Sequence, residues 1–432
     1  MADEIIMGDQ LLKPKHDHAK LIFPKGFLWG AATSAYQVEG GNIHSDWENF
    51  KSAGKATDQY NLYEKDFDLA KSLGHNSHRL SIEWSRIEPE EGKFDEAEIR
   101  HYIKLLKYLK SLNLTVMLTL HHFTNPKWFS QKGGWERGGN VKYFLRYVEK
   151  IVPEFKEFVD LWITINEPGV YMWQSYLMGI WPPQKRSKWI AFKVLWNLAK
   201  AHKKAYKIIH KLEPNAKVGI AHNIISFDAF HHHSVLEGIF EWGYDVFGNH
   251  LIYLLTGKTH DFLGINYYFN QYISFNGTAR LPKIVDISVS KKDVSDLGWE
   301  IYPEGIFDIL IDISDFHLPV YITENGIAST NDDRRVRFLI GYLKEIYHAI
   351  QLGVDVKGYF HWSLIDNFEW ADGFEPRFGL IEVDYATQKR LVRPSAHVYE
   401  EIIKRNGIPH DLLKLLGHGI KVEDVLKEEI KE

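Results

Sequence analysis

The sequence predicts a single α/β domain in which eight strand-helix units close into a (β/α)8, or TIM, barrel. Short apolar runs alternate with longer amphipathic stretches, the pattern of a parallel sheet covered by helices. Eight such runs occur, and no Gly-x-Gly-x-x-Gly follows the first, which favours a closed barrel over an open dinucleotide-binding sheet. No linker, repeat or low-complexity stretch divides the 432 residues, and one barrel with insertions can pass ~400 residues.

The elements follow in order. Phe27-Leu28-Trp29-Gly30-Ala31-Ala32 reads as the first strand, and residues 58–73 as an amphipathic helix with Gly74 just past its end, a common C-terminal signal. His78-Arg79-Leu80-Ser81-Ile82 is the second strand, followed by a helix over residues 95–112. Thr115-Val116-Met117-Leu118-Thr119-Leu120 is the third, followed by a helix around residues 141–157. Leu161-Trp162-Ile163-Thr164-Ile165 is the fourth, and the long helix over residues 189–212 stops at Pro214. Lys217-Val218-Gly219-Ile220-Ala221, Phe262-Leu263-Gly264-Ile265, Pro319-Val320-Tyr321-Ile322-Thr323 and Gly358-Tyr359-Phe360-His361-Trp362 complete the eight. Residues 1–22 read as a leader and residues 23–405 as the barrel. Residues 406–432 read as an amphipathic tail, with Leu412, Leu415, Leu416, Ile420 and Val425 among its apolar positions. That tail either packs on its own domain or forms a subunit contact in a homo-oligomer.

Composition narrows the function. Charged residues are 25% and the formal charge is −5, so nothing points to a nucleic-acid partner. The absence of cysteine excludes disulfides, cysteine–zinc sites, iron–sulfur ligation and a thiol nucleophile. No apolar run reaches the ~18–20 residues that span a bilayer, and the N-terminus has neither a basic nor an apolar signal region. No membrane partner and a cytoplasmic location are therefore expected. The 14 Trp, 22 Tyr and 25 Phe indicate a stacking site or a large core.

Reactive side chains cluster at the strand ends. Arg79 lies on the second strand, His121 and His122 follow the third, and Asn166 and Glu167 the fourth. Asn266, Tyr267 and Tyr268 follow the sixth, and Glu324 and Asn325 the seventh. Trp362 ends the eighth, with Asp366, Glu369 and Trp370 close behind. A barrel brings all of these to one face, where its site is built. Two carboxylates there, Glu167 and Glu324, suit acid–base work, nucleophilic work or a metal. A metal needs three or more convergent ligands. His121 and His122 are adjacent and point apart on a strand, and no His-Glu-x-x-His occurs, so neither a metal nor another cofactor is expected.

Several blocks carry a family resemblance. They are Phe23-Pro24-x-Gly26-Phe27-x-Trp29-Gly30-Ala31-Ala32-Thr33-Ser34-Ala35-Tyr36-Gln37-Val38-Glu39-Gly40, Thr164-Ile165-Asn166-Glu167-Pro168, Thr323-Glu324-Asn325-Gly326 and Trp362-Ser363-Leu364-Ile365-Asp366-Asn367-Phe368-Glu369-Trp370. Together they resemble glycoside hydrolase family 1, the β-glucosidase and β-galactosidase family of (β/α)8 fold, from about Phe23 to about Tyr399. The resemblance implies that Glu167 is the general acid and base and Glu324 the nucleophile of a retaining hydrolysis, without a cofactor. It implies that Gln37, His122, Asn166, Glu369 and Trp370 bind sugar hydroxyls and that Trp362 is the platform under the ring. Arg79, Asn266 and Tyr268 would surround the nucleophile. The substrate would be a β-glycoside or oligosaccharide. The alternatives on the same residues are an enzyme that mainly transfers glycosyl groups, or a non-catalytic sugar binder.

Two departures from the family pattern, and one contrast within the family, bear on specificity. His121-His122-Phe123-Thr124 stands where Tyr-His-Trp-Asp is frequent, so Phe123 replaces an indole. The span between the fifth and sixth strands, residues 222–261, is short and carries His231-His232-His233, read as solvated. Glu369, Pro376 and Phe378 stand where phospho-glycosidases of the family carry Ser, Lys and Tyr, so unphosphorylated sugars are expected.

Overall fold

The computed structural model describes residues 20–231, 233–275, 283–285 and 293–416. Strands β1 (Leu28–Ala32), β2 (Ser77–Ser81), β3 (Thr115–Thr119), β4 (Leu161–Asn166), β5 (Val218–Asn223), β6 (Leu263–Asn266), β7 (Val320–Asn325) and β8 (Val356–Trp362) close into a barrel in chain order. Every neighbouring pair is parallel, and β8 returns to β1 with Trp362 opposite Ala32. The strands are buried almost throughout. A strand covered on both faces has no reason to alternate, which is why each reads as an apolar run.

Helices cover the outside. They are α1 (Gln59–Ser72), α2 (Glu96–Ser111), α3 (Val141–Phe155), α4 (Lys188–Leu212), α5 (Val235–Asp245), α6 (Leu251–Thr256), α7 (Pro303–Ile313), α8 (Asp332–Gln351) and α9 (Pro394–Arg405). Several of them start on a side-chain cap. Asp95 accepts from the backbone of Ala97 and Glu98 at α2, Ser187 from Ile190 at α4, and Asn331 from Asp333 at α8. Trp29, Trp84, Trp135 and Trp162 fill the core, each at most 1% exposed.

Four strands extend past the apolar runs that announced them: β4 to Asn166, β5 to Asn223, β6 to Asn266 and β7 to Asn325. Polar residues end a run in sequence, but here the ladder continues through them. Asn266 lies opposite both Asn223 and Glu324. The register shifts near the ends of β4 and β7, between Ile163 and Asn166 and between Ile322 and Glu324. Such irregularities re-aim side chains, and these sit where the two carboxylates emerge.

The span between β5 and β6, though short, keeps helical cover from α5 and α6. It also contributes the strand Ser226–Ala229 to a side sheet with Asn270–Ser274 and Lys283–Val285. Gly238 and Gly243 inside α5 weaken its helical signal in the sequence. His231 pairs with Glu237 at 2.9 Å and His233 is exposed, while His232 lies outside the described residues.

At the other end of the chain order, Lys20–Ile22 pairs antiparallel with Gly407–Pro409, and Leu412 and Leu415 join the core. The further apolar positions of the tail, from Ile420 on, and residues 1–19 lie outside the described residues. No described helix is long and apolar enough to cross a membrane.

Trp162 tests the core reading. It is fully buried, and its indole N–H donates to Glu213 at 3.1 Å. Trp162→Ala is expected to cost about 3–5 kcal/mol, read as a lowered midpoint in scanning calorimetry.

Candidate active site

The two carboxylates stand at the C-terminal ends of β4 and β7, held in different surroundings. Glu324 Oε1 accepts from Arg79 Nη1 and Oε2 from the Tyr268 hydroxyl, each at 2.5 Å. Arg79, 1% exposed on β2, also reaches Thr323 O at 3.0 Å and Asn166 Oδ1 at 2.6 Å. A guanidinium and a phenol are donors suited to a carboxylate anion. Burial and the Glu324 charge hold the Tyr268 hydroxyl protonated, well above its ordinary range, so it stays a donor.

Glu167 Oε1 accepts from the Asn266 amide at 2.7 Å. Asn266 is itself oriented by Thr323, whose hydroxyl donates to Asn266 Oδ1 at 2.6 Å and turns the amide N–H groups toward Glu167. Burial first, and the Glu324 charge second, push the Glu167 carboxyl up to about 8; the Asn266 and Asn223 amides and Arg79 pull the other way. Glu167 follows the last residue of β4 with φ 42°, in the left-handed region. The site therefore holds one carboxylate bound to a cation and one favoured as the neutral acid. That is an arrangement for nucleophilic attack beside proton donation.

A wall of stacked rings stands beside them. The His122 ring lies near-parallel to Trp362 and to Trp370, at 6.0 Å from each. Burial, and then Arg79, keep His122 neutral. His121 turns away to Asn125 and Trp135, so the two adjacent histidines do point apart. Glu369 meets the Trp362 indole N–H at 3.3 Å and the Gln37 amide at 3.4 Å, and burial raises its carboxyl to about 8. Gln37 is fixed by Asn367 Oδ1 at 2.9 Å, Phe368 O at 2.8 Å and the Ser34 hydroxyl at 2.8 Å. The backbone after β7 presses against the end of β8: a Cβ on Gly326 would lie 1.8 Å from Trp362 O, so only glycine fits there. Among the described residues no group of three or more His, Asp or Glu could hold a metal ion.

The family model of glycosyl hydrolase family 1 matches residues 19–234 and 248–408. The chain belongs to glycosyl hydrolase family 1. Similar proteins include Beta-glucosidase A of Thermotoga maritima, 32% identical with 89% of this chain and 98% of that protein aligned. A beta-galactosidase of Pyrococcus woesei is 30% identical over 92% of this chain and 100% of its own. Among solved structures, the beta-glycosidase from Pyrococcus horikoshii superposes with a TM-score of 0.85 at 39% identity, covering 92% of this chain and 98% of that one. This family 1 protein is a glycoside hydrolase.

Gln37, Arg79, His122, Asn166, Glu167, Asn266, Tyr268, Glu324, Trp362, Glu369 and Trp370 of this family 1 enzyme form one connected site, whereas four other strand-end residues turn to structural partners: His121 to Asn125, Tyr267 to Tyr302 O, Asn325 to Tyr267 O and Asp366 to Arg393. The sequence reading missed Asn223, which touches Glu167, and Thr323, which orients Asn266. Asn223 was missed because the fifth apolar run was ended at Ala221; counting two residues further, as the polar ends of the other strands invite, finds it. Trp181 is buried behind Trp370 and Phe123. Trp299 packs on Tyr268 and Phe378.

The opposed electrostatics can be tested directly. Glu324→Gln removes the charge that helps hold Glu167 protonated, so the Glu167 carboxyl should titrate at lower pH than in the parent, followed by NMR of labelled glutamate. An unmoved titration would mean that burial alone sets it.

Proposed function

We propose that this family 1 enzyme is a retaining β-glycosidase that hydrolyses unphosphorylated β-D-glucosides and related β-galactosides, with Glu324 as nucleophile and Glu167 as acid and base. The observation that carries the reading is the contrast between the two carboxylates: Glu324 bound by Arg79 and Tyr268, Glu167 raised to about 8. The names of the relatives, β-glucosidase and β-galactosidase, agree with it.

The chemistry runs in two displacements. Glu324 attacks the anomeric carbon while Glu167 gives its proton to the departing glycosidic oxygen, leaving a glycosyl ester on Glu324. Esterification removes the negative charge that kept Glu167 protonated. Glu167, now a carboxylate, takes a proton from water, which attacks the anomeric carbon and releases Glu324. Two inversions restore the original configuration, and the mechanism calls for a carboxyl separation of ~5–5.5 Å.

Sugar recognition falls to the ring wall and its polar rim. Trp362 offers an apolar face to the sugar ring. Gln37, His122, Asn166 and Glu369 offer donors and acceptors to its hydroxyls, and Trp370 borders the same pocket. A buried carboxyl such as Glu369 gains from donors, and a polyol supplies them. A phosphate would meet the Glu369 carboxyl and the uncharged Pro376 and Phe378 rather than a dedicated cation at those positions, and Arg377 between them is committed to Asp366 and Val383 O. The cytoplasm is the compartment we infer, in keeping with a chain that has no cysteine to oxidise.

Two measurements test the assignment. Glu167→Ala should lose about 10²–10⁴ in rate on an alkyl glucoside, whose leaving group needs protonation, and far less on a dinitrophenyl glucoside. Glu324→Ala should be crippled on both, and equal losses for the two variants on both substrates would overturn the roles. The parent enzyme should lose kcat/KM as pH rises through about 8, because the raised Glu167 carboxyl then surrenders the proton it must donate. Glu167→Ala should lack that alkaline limb.

A further inference from the structure

Neighbouring helices on the outside of the barrel turn apolar side chains to solvent. On α4, Trp189, Phe192 and Trp196 recur at the spacing of one helix face, and Trp189 is 80% exposed. On α5, Val235, Leu236, Ile239 and Trp242 do the same, with Trp242 68% exposed. Leu254 of α6 is exposed as well, and α6 rests on α4, where Lys203 Nζ reaches Leu255 O at 3.3 Å. A helix ordinarily turns such a stripe into the core. Scattered apolar residues on a surface need no explanation, but stripes on adjoining helices do.

The charge around these stripes is one-sided. The sequence of α4, KWIAFKVLWNLAKAHKKAYKIIHKL, has seven Lys and neither Asp nor Glu. Lys188, Lys193, Lys200, Lys203, Lys204 and Lys207 are exposed on it. The chain as a whole is acidic, at −5, so this basic helix is a local feature. On α5 both glutamates turn inward. Glu237 accepts from the backbone of His231 at 2.7 Å and of Phe275 at 2.8 Å, and Glu241 accepts from Ala229 N at 3.0 Å. Asp245 is paired with His250 and Asn249. No carboxylate of these two helices is left to face outward with the tryptophans.

We propose that this face docks on a bilayer surface carrying anionic headgroups. Trp189, Trp196 and Trp242 enter the boundary between headgroups and acyl chains, and the α4 lysines meet lipid phosphates. Exposed aromatic residues beside lysines, without acids, are the composition of a helix that lies in an interface. A second copy of the chain suits the face less well, since a self-complementary contact would set the α4 lysines against their own kind. The absence of a spanning run, which argued against a membrane partner, does not bear on a helix that lies on the surface. α4 begins beyond the C-terminal end of β4 and α5 beyond that of β5, so both stripes lie toward the end of the barrel that carries Glu167. The inference does not depend on which glycoside the site accepts.

The test is flotation of the intact protein with phosphatidylcholine vesicles, with and without phosphatidylglycerol. The parent should float with the anionic vesicles, bind the neutral ones more weakly, and lose the difference as salt rises. The double variant Trp189→Ser, Trp242→Ser should partition about tenfold less or lower, with hydrolysis of a soluble aryl glycoside unchanged, which shows that it is folded. Replacing Lys193, Lys200 and Lys203 by Gln should remove the preference for anionic lipid. A parent that stays in solution, or a double variant that floats equally, overturns the proposal. So does a dimer in light scattering that the double variant abolishes without any vesicle binding, which would assign the face to a second copy.

Discussion

The Arg79 guanidinium is the interaction on which the rest of the site depends. From β2 it spans the mouth of the barrel to Glu324 on β7 and to Asn166 on β4. Asn166, with its oxygen taken by Arg79 and Asn266, presents its amide to His122 at 3.3 Å. His122 in turn faces both tryptophans. One buried cation thereby sets the positions of groups from four strands and the orientation of two amides. A buried charge is tolerated only when paired and hydrogen-bonded, and losing its partner leaves a cost of about 3–5 kcal/mol. The constraint is mutual, because Arg79 and Glu324 are both buried and form an ion pair with each other. Groups fixed in advance need no rearrangement when charge develops in a reaction.

Much of the fold was legible because a closed barrel buries both faces of its strands, so the sequence marks each with an apolar run. Glu167 and Glu324 were legible because both follow such a run and both sit beside Asn. What the sequence hid follows from the same rule. Apolar runs end where polar residues begin, yet the ladder of β5 continues into them, so Asn223 fell outside the candidate site. Thr323 stood inside the seventh run and read as one of its strand residues, because its role is a hydrogen bond to Asn266 on the neighbouring strand. Helix α5 was obscured by its own glycines. The orientation of Asn266 is a property of three strands together, and no local pattern records it.

The barrel divides its labour between layers. The strand ends supply an inner ring of charged and amide groups whose positions depend on register. The loops beyond β3 and β8 add the aromatic wall, where Phe123 backs Trp370 with centroids 5.2 Å apart. The helices face outward, and there the chain carries α4 and α5, whose exposed sides the core does not require. A site built on strands can stay constant while the outer surface changes, which is how one architecture serves different settings.

Glu167 stands on left-handed backbone, at φ 42° and ψ 61°. A residue with a side chain held there costs about 1–3 kcal/mol relative to relaxed backbone, and its carboxyl is buried beside another. Glycine would carry neither burden. Against that relief, glycine would strand the Asn266 amide, which donates to the Glu167 carboxyl at 2.7 Å, and a buried donor without its acceptor carries a cost of its own. The strained backbone and the carboxyl it carries are thus held together by their neighbours, and the local conformation belongs to the network as much as to the residue.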